Sequence, residues 1–290
     1  MTETMRAFVL TGHGGIDKLV YYNDWQKPTA DAGGALVRVL ACGLNNTDIN
    51  TRVGWYSKNV TGATDSAANA DAADDDATWG GAPVALPRIQ GADVCGIVEA
   101  VGSEADQHLI GKRVLIDTWL RDWKDPLNLT KTGYFGSECN GGYAEYCTVD
   151  CRNVHPIDCP LSHAELATFA TSYSTAEGML NRASVEAGDT VLITGASGGV
   201  GSALIQLAQR RGAKTIALCG ETKADAVRAL NPLAVLPRQP DDLARAIKEA
   251  TGLENVSVVA DVVGGSIFPQ LIEALARGGR YVCSGAIAGP

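Results

Sequence analysis

Hydrophobic and polar positions follow two different rhythms in the two halves of the chain. In the C-terminal half, short apolar runs alternate with stretches of helical spacing. Thr190-Val191-Leu192-Ile193-Thr194 is β-branched and apolar, as a parallel strand buried on both faces requires. Val200, Ala203, Leu204, Leu207 and Ala208 then recur at helical spacing, with Gln206, Gln209 and Arg210 opposite. Gly212 stops that helix and Thr215–Cys219 begins a second buried strand. Asp241 or Asp242 can cap a helix with Leu243, Ala246, Ile247 and Ala250 on one face, ending at Gly252. Val256–Val263 predicts a further strand and Ser266–Arg277 a helix, with Pro269 in its first turn and Gly278-Gly279 as its stop. Arg280–Ser284 predicts a last strand. The alternation predicts an α/β fold with a Rossmann-type, doubly wound parallel sheet. The usual form has about six strands and only about five can be counted here, so this domain is expected to be incomplete at its C-terminus.

The N-terminal half is punctuated differently. Met5–Leu10, Ala35–Leu40, Cys95–Val101, Arg113–Ile116 and Tyr143–Val149 predict short strands separated by Gly, Pro and Asp. They suggest a compact, mostly antiparallel β domain. A connecting stretch, Val154–Thr175, carries Pro156 and Pro160 before a helix expected near Ser162. The division is therefore placed at residues 1–160 and 161–290. Residues 59–81 fit neither half: they are rich in Ala, Asp, Thr and Gly, with Asp65, Asp71, Asp74, Asp75 and Asp76 and no basic residue. Such a segment is read as a mobile surface insertion, with a substrate lid as the alternative reading.

Composition narrows the function classes. The net charge of −9 over 290 residues argues against a nucleic-acid partner, which would demand clustered Lys and Arg. No apolar run reaches membrane-spanning length. Eight scattered cysteines in a chain of this size suit a reducing cytoplasm. The expected partner is a small-molecule substrate.

The chemistry concentrates in Gly195-Ala196-Ser197-Gly198-Gly199-Val200-Gly201, between the first buried strand and its helix. A helix N-terminus facing a glycine turn offers unpaired N–H groups and a positive dipole end, which suits a pyrophosphate. The strict motif is Gly-x-Gly-x-x-Gly; here its first position is Ala196, with Gly195 one place earlier. Gly198 would admit the phosphate and Gly201 would let helix and strand pack closely. Gly220, at the end of the second strand, leaves room for a 2′-phosphate and Lys223 could pair with it, whereas Glu221 could serve an NAD ribose. NADP (as NADPH) is favoured over NAD. Asp261 ends a strand at the carboxyl edge where such ligands bind.

Taken together, several segments resemble the medium-chain dehydrogenase/reductase family along almost the whole chain. They are Ala41-Cys42-Gly43-Leu44-Asn45-Asn46-Thr47-Asp48, Gly91–Gly102, Gly141-Gly142-Tyr143-Ala144-Glu145-Tyr146, Thr175-Ala176, the glycine turn and Asp261–Gly265. The resemblance implies an N-terminal GroES-like β-rich domain and a Rossmann domain. It also places Thr175, Ser284 and Gly285 beside the cofactor and implies a homodimer built through the sheet edge of the nucleotide domain. Zinc-dependent relatives carry Cys where Asn45 stands and Gly-His-Glu where Gly91-Ala92-Asp93 stands. Neither Asn45 nor Ala92 is a zinc ligand, and Asp117–Glu138 contains none of the cysteines of the second zinc lobe. No zinc is therefore expected, and the pattern is similar to the zinc-independent quinone oxidoreductase branch, with its enone, alkenal and enoyl-thioester reductases. Cys151, His155, Cys159 and His163 fall every fourth residue, but Pro156 and Pro160 break the helix that would align them.

Without a metal, hydrogen-bond donors must stabilise charge developing on a substrate oxygen. The candidates are Asn45, then Thr47 and Tyr56, with Tyr56 or solvent relaying a proton. Trp55 and Tyr56, with Trp119 and Trp123, are candidates for an apolar pocket wall. The competing readings are a zinc-type alcohol dehydrogenase, which predicts bound zinc, and an NADP-binding structural or sensor protein without turnover.

Overall fold

The structure, a computed structural model, describes residues 3–57, 60, 62–63 and 84–289. Most of the acidic stretch at 59–81 therefore lies outside the described residues. The chain packs as two compact units that divide between Thr171 and Ser172. Each is described by itself.

The first unit is built on antiparallel strands. β1 (Thr4–Leu10) pairs with β2 (Leu19–Gln26) as a two-stranded sheet. β3 (Gly34–Gly43) runs into helix α1 (Asn46–Arg52). Next come β4 (Asp93–Val101), β5 (Arg113–Ile116), the short pair β6 (Trp119–Leu120) and β7 (Gly133–Tyr134), β8 (Tyr146–Asp150) and β9 (Val154–Pro156). A five-stranded sheet in the order β8-β3-β4-β5-β9 is antiparallel throughout. Alternate residues of these strands (Ala35, Val37, Val94, Val98, Val114, Ile116, Cys147 and Val149) face one core that also holds Phe135. Helix α2 (His163–Leu166) starts from a capping box in which Ser162 and Glu165 exchange hydrogen bonds.

The second unit begins in α3 (Ala170–Arg182), which contains the division. β10 (Thr190–Ile193) leads through the glycine turn into α4 (Gly199–Arg210), followed by β11 (Lys214–Cys219), α5 (Ala224–Arg228) and β12 (Ala234–Pro237). Helix α6 (Leu243–Thr251), β13 (Val256–Asp261), α7 (Phe268–Glu273) and β14 (Leu275–Cys283) complete the order. All neighbours in the sheet β12-β11-β10-β13-β14 are parallel. The strand period of two sorts the buried side chains. Val191, Ile193, Ala217, Val258 and Ala260 face a core shared with α3, α4 and α5. Leu192, Ile216, Leu218 and Val259 face the opposite core, shared with α6 and α7. Both faces are covered, so the strands read as unbroken apolar runs.

Two expected boundaries move. The helix expected at Ser266–Arg277 ends at Glu273, and the last strand begins at Leu275 rather than Arg280. Leu271 and Ala274 already complete the buried face of α7, and Leu275 pairs with Val256. Gly278, with φ of +80°, bends the strand instead of stopping a helix. Cys151 sits in a 3₁₀ turn, His155 in β9 and His163 in α2, so these residues do not share a helix face.

Candidate functional site

Asn45 is the N-cap of α1, with extended backbone (φ −124°, ψ 159°). Its backbone N–H donates to Asp48 Oδ2 at 2.8 Å, the reciprocal bond of a capping box. Its side-chain amide donates to Asp93 Oδ2 at 3.1 Å. One N–H of the amide is thus committed inside the protein. Gln90, itself buried, fixes the start of the helix by donating to the Asp48 carbonyl at 2.8 Å.

Thr47 and Tyr56 are brought together: the phenol donates to Thr47 Oγ1 at 2.9 Å. Burial raises the Tyr56 pKa above the usual phenol range. The phenol therefore keeps its proton at neutral pH. Trp55 meets Tyr56 edge to face, with ring centroids 5.7 Å apart. Trp123 instead stacks under the guanidinium of Arg152, 4.7 Å from its ring centre.

The acids beside Asn45 are the strongly perturbed groups. Burial pushes Asp48 up to about 6, against donors from Asn45, Tyr143 and Gly91, and the neighbouring Asp93 adds to the rise. Burial also raises Asp93, opposed by hydrogen bonds from Thr171 and Asn45.

In the second unit the glycine turn is a cradle without side chains. Gly198 is the N-cap of α4 and supplies no side-chain bond, so the first N–H groups of the helix have no capping partner. Gly198 and Gly199 are exposed, Ala196 is buried and Ser197 and Val200 lie half-buried between them. A Cβ on Gly201 would collide with the carbonyl oxygen of Gly195 and with Ala196, so only glycine lets the helix start this close to the strand. Gly195 has φ of +56° and packs against Val262 and Val263. This cradle fits a dinucleotide pyrophosphate.

Asp261 does not face outward. It is 0% exposed, and its carboxylate accepts from Thr194 Oγ1 (2.5 Å), the Val263 and Gly264 N–H groups and Tyr281 OH (2.6 Å). It ends β13 at the carboxyl edge, but its side chain turns beneath the loop that packs on Gly195. Ser284 is exposed and its N–H donates to the Asp261 carbonyl at 3.0 Å; Gly285 packs on the Val262 carbonyl. Thr175 is half-buried on α3.

Gly220 follows β11 and precedes a 3₁₀ turn, Glu221–Lys223, in which Glu221 and Lys223 are both exposed. The residue missed from sequence is Arg238, just beyond β12. Its Nη2 lies 3.4 Å from where a Gly220 Cβ would stand, and it joins no ion pair among the described residues. Pro237 and Pro240 disguised the strand that delivers it.

Neither Asn45 nor Ala92 offers zinc a ligand. Ala92 is fully buried and apolar, and Asn45 is bonded to Asp93. Among the described residues no cluster of three or more His, Cys, Asp or Glu side chains could hold a metal ion. Among the described residues, too, no helix is long and apolar enough to cross a membrane.

Comparison with known proteins agrees with this layout. Residues 31–159 match the alcohol dehydrogenase GroES-like domain, and residues 199–290 match the family described as zinc-binding dehydrogenase. A provisionally named alcohol dehydrogenase of Sinorhizobium meliloti 1021 is 44% identical, with a TM-score of 0.89 over 100% of this chain and 78% of that one. The chain belongs to the medium-chain dehydrogenase/reductase family. Quinone oxidoreductase of Pongo abelii is 27% identical over 98% of this chain and 74% of its own length. The solved quinone oxidoreductase of Coxiella burnetii is 25% identical, with a TM-score of 0.74 over 99% of this chain and 77% of that one. This medium-chain dehydrogenase/reductase is thus an oxidoreductase of a family that binds a nicotinamide cofactor. The zinc in the second description finds no ligands at Asn45 and Ala92.

Two measurements check this geometry. Gly198→Ala is expected to melt like the parent yet bind the nicotinamide cofactor about tenfold more weakly (roughly 1.4 kcal/mol), whereas Gly201→Ala also lowers stability by about 1–3 kcal/mol. Fluorescence titration and thermal melts separate the two. Asp48 carries the second prediction. Its folded pKa is raised, so the folded state holds the extra proton, and this group withdraws stability as pH rises from about 4 to about 6.5, by roughly 3 kcal/mol in total. Denaturant titrations across that range should show a shallower fall in Asp48→Asn than in the parent.

Proposed function

We propose that this chain is an NADPH-dependent reductase that works without zinc on quinones or activated C=C bonds of enones, alkenals or enoyl thioesters. The observation that carries the reading is the pair Asn45 and Ala92. A hydrogen-bond donor and a buried methyl group stand where zinc ligands would be required. The similarity to quinone oxidoreductases supports it.

The bound nicotinamide supplies hydride. The residues do the rest. The α4 N-terminus and the bare turn at Gly198 and Gly199 hold the pyrophosphate. Gly220 opens space for a 2′-phosphate, with Lys223 and Arg238 as its cationic partners. Asn45 directs its second N–H at the substrate oxygen, where negative charge develops as the acceptor carbon is reduced. Solvent provides the closing proton.

The test is a fluorescence titration with NADPH and NADH on protein assayed for metal, followed by turnover on quinones, enones and simple alcohols. NADPH should bind more tightly, metal should be substoichiometric and turnover should be confined to the quinones or enones. Arg238→Ala should weaken NADPH binding about ten- to a hundredfold (about 1.4–2.7 kcal/mol) and leave NADH unchanged. Stoichiometric zinc with alcohol oxidation would establish an alcohol dehydrogenase instead. Cofactor binding with no turnover on any of them would favour a structural or sensor protein.

A further inference from the structure

An asparagine amide can sit either way round, since its oxygen and nitrogen are nearly the same size; the groups beside it decide. A donor role for Asn45 therefore needs something that holds its NH₂ in place. Asp93 is 1% exposed and stands at the start of β4, 48 residues beyond Asn45. Its Oδ1 accepts from both the N–H and the O–H of Thr171, each at 2.6 Å, and its Oδ2 from the Asn45 amide at 3.1 Å. Because the Thr171 hydroxyl donates to Asp93, it accepts from Tyr134 OH at 2.7 Å. The direction of every bond is then set. An ionised carboxylate has no proton to offer, so only the NH₂ side of Asn45 can face it. The donors from Thr171 in turn keep the carboxylate from rotating.

We infer that Asp93 is a positioning residue. Its carboxylate, clamped by Thr171 and Tyr134, fixes the Asn45 amide with one N–H inward and the other presented to the substrate oxygen. This rests on the proposed donor role of Asn45. In Asp93→Asn, residue 93 stops accepting from the Asn45 NH₂ and can donate to Oδ1. This draws the amide to turn away from the Asp48 N–H and present its oxygen, which repels the developing negative charge.

The experiment is a double-mutant cycle on the full chain, with Asn45→Ala, Asp93→Asn and both together. Asp93→Asn should lower kcat about a hundredfold, leave the NADPH dissociation constant unchanged, and add nothing further in the Asn45→Ala background. A loss that multiplies in that background, or an unchanged kcat in Asp93→Asn, overturns the assignment. The exchange variant Asn45→Asp with Asp93→Asn keeps a donor and an acceptor across the same gap. It should fold like the parent and stay inactive, and parent-like activity in it overturns the assignment too. A spectroscopic arm needs no turnover. The Asn45 side-chain ¹⁵N–¹H resonances, identified by their loss in Asn45→Ala, should move in Asp93→Asn. If they stay in place, the positioning role fails. If they move while the parent reduces no quinone or enone, the proposed function fails and the orientation of Asn45 by Asp93 stands.

Discussion

A carboxylate removed from water must be surrounded by donors, and in each unit one described carboxylate is shut away almost completely. Asp93 and Asp261 are 1% and 0% exposed. Asp93 gathers the start of α3 and the cap of α1 around β4. Asp261 gathers the end of β10, its own following loop and the aromatic ring of Tyr281 on β14. Removing one partner from such a buried charge costs about 3–5 kcal/mol, far more than loss of a surface ion pair. Each of these acids therefore fixes the backbone on which the candidate site residues stand.

The same constraint explains why the glycine turn can be bare. Asp261 holds Val262 and Val263, and Gly195 rests on those two side chains with a left-handed backbone. Support from below replaces the side-chain cap that a helix of this length usually carries. The N–H groups of α4 then stay available to a ligand, with no competing oxygen at Gly198. Rigidity and vacancy come from one arrangement.

The sequence revealed most of the second unit because its strands are buried on both faces, and continuous apolar runs leave little ambiguity. Strands with a wet side were harder. β2, Leu-Val-Tyr-Tyr-Asn-Asp-Trp-Gln, mixes half-buried and exposed positions and went unseen. β12 hid between prolines, and Arg238 hid with it. The site shows the same split. Asn45 was legible only through the family resemblance, as the residue standing where zinc-dependent relatives carry Cys. Its tie to Asp93 was not, because that bond depends on how β3 and β4 pair. Asp93 entered the sequence reading only as part of an absent zinc motif; its hydrogen bonds give it a use of its own. Asp261 shows the reverse: its position at a strand end pointed to a ligand, while its buried side chain turns to the loop.

The eight thiols differ sharply in setting. Burial raises the pKa of Cys42, Cys95, Cys139, Cys147, Cys151 and Cys219, keeping them protonated and slow toward electrophiles at neutral pH. Cys283 alone of the eight is exposed, and it stands opposite Asp261 in the strand register. An alkylating dye would thus find a natural attachment point at the rim of the nucleotide-binding sheet. The chain carries its own handle for a fluorescent reporter, with no cysteine to engineer in.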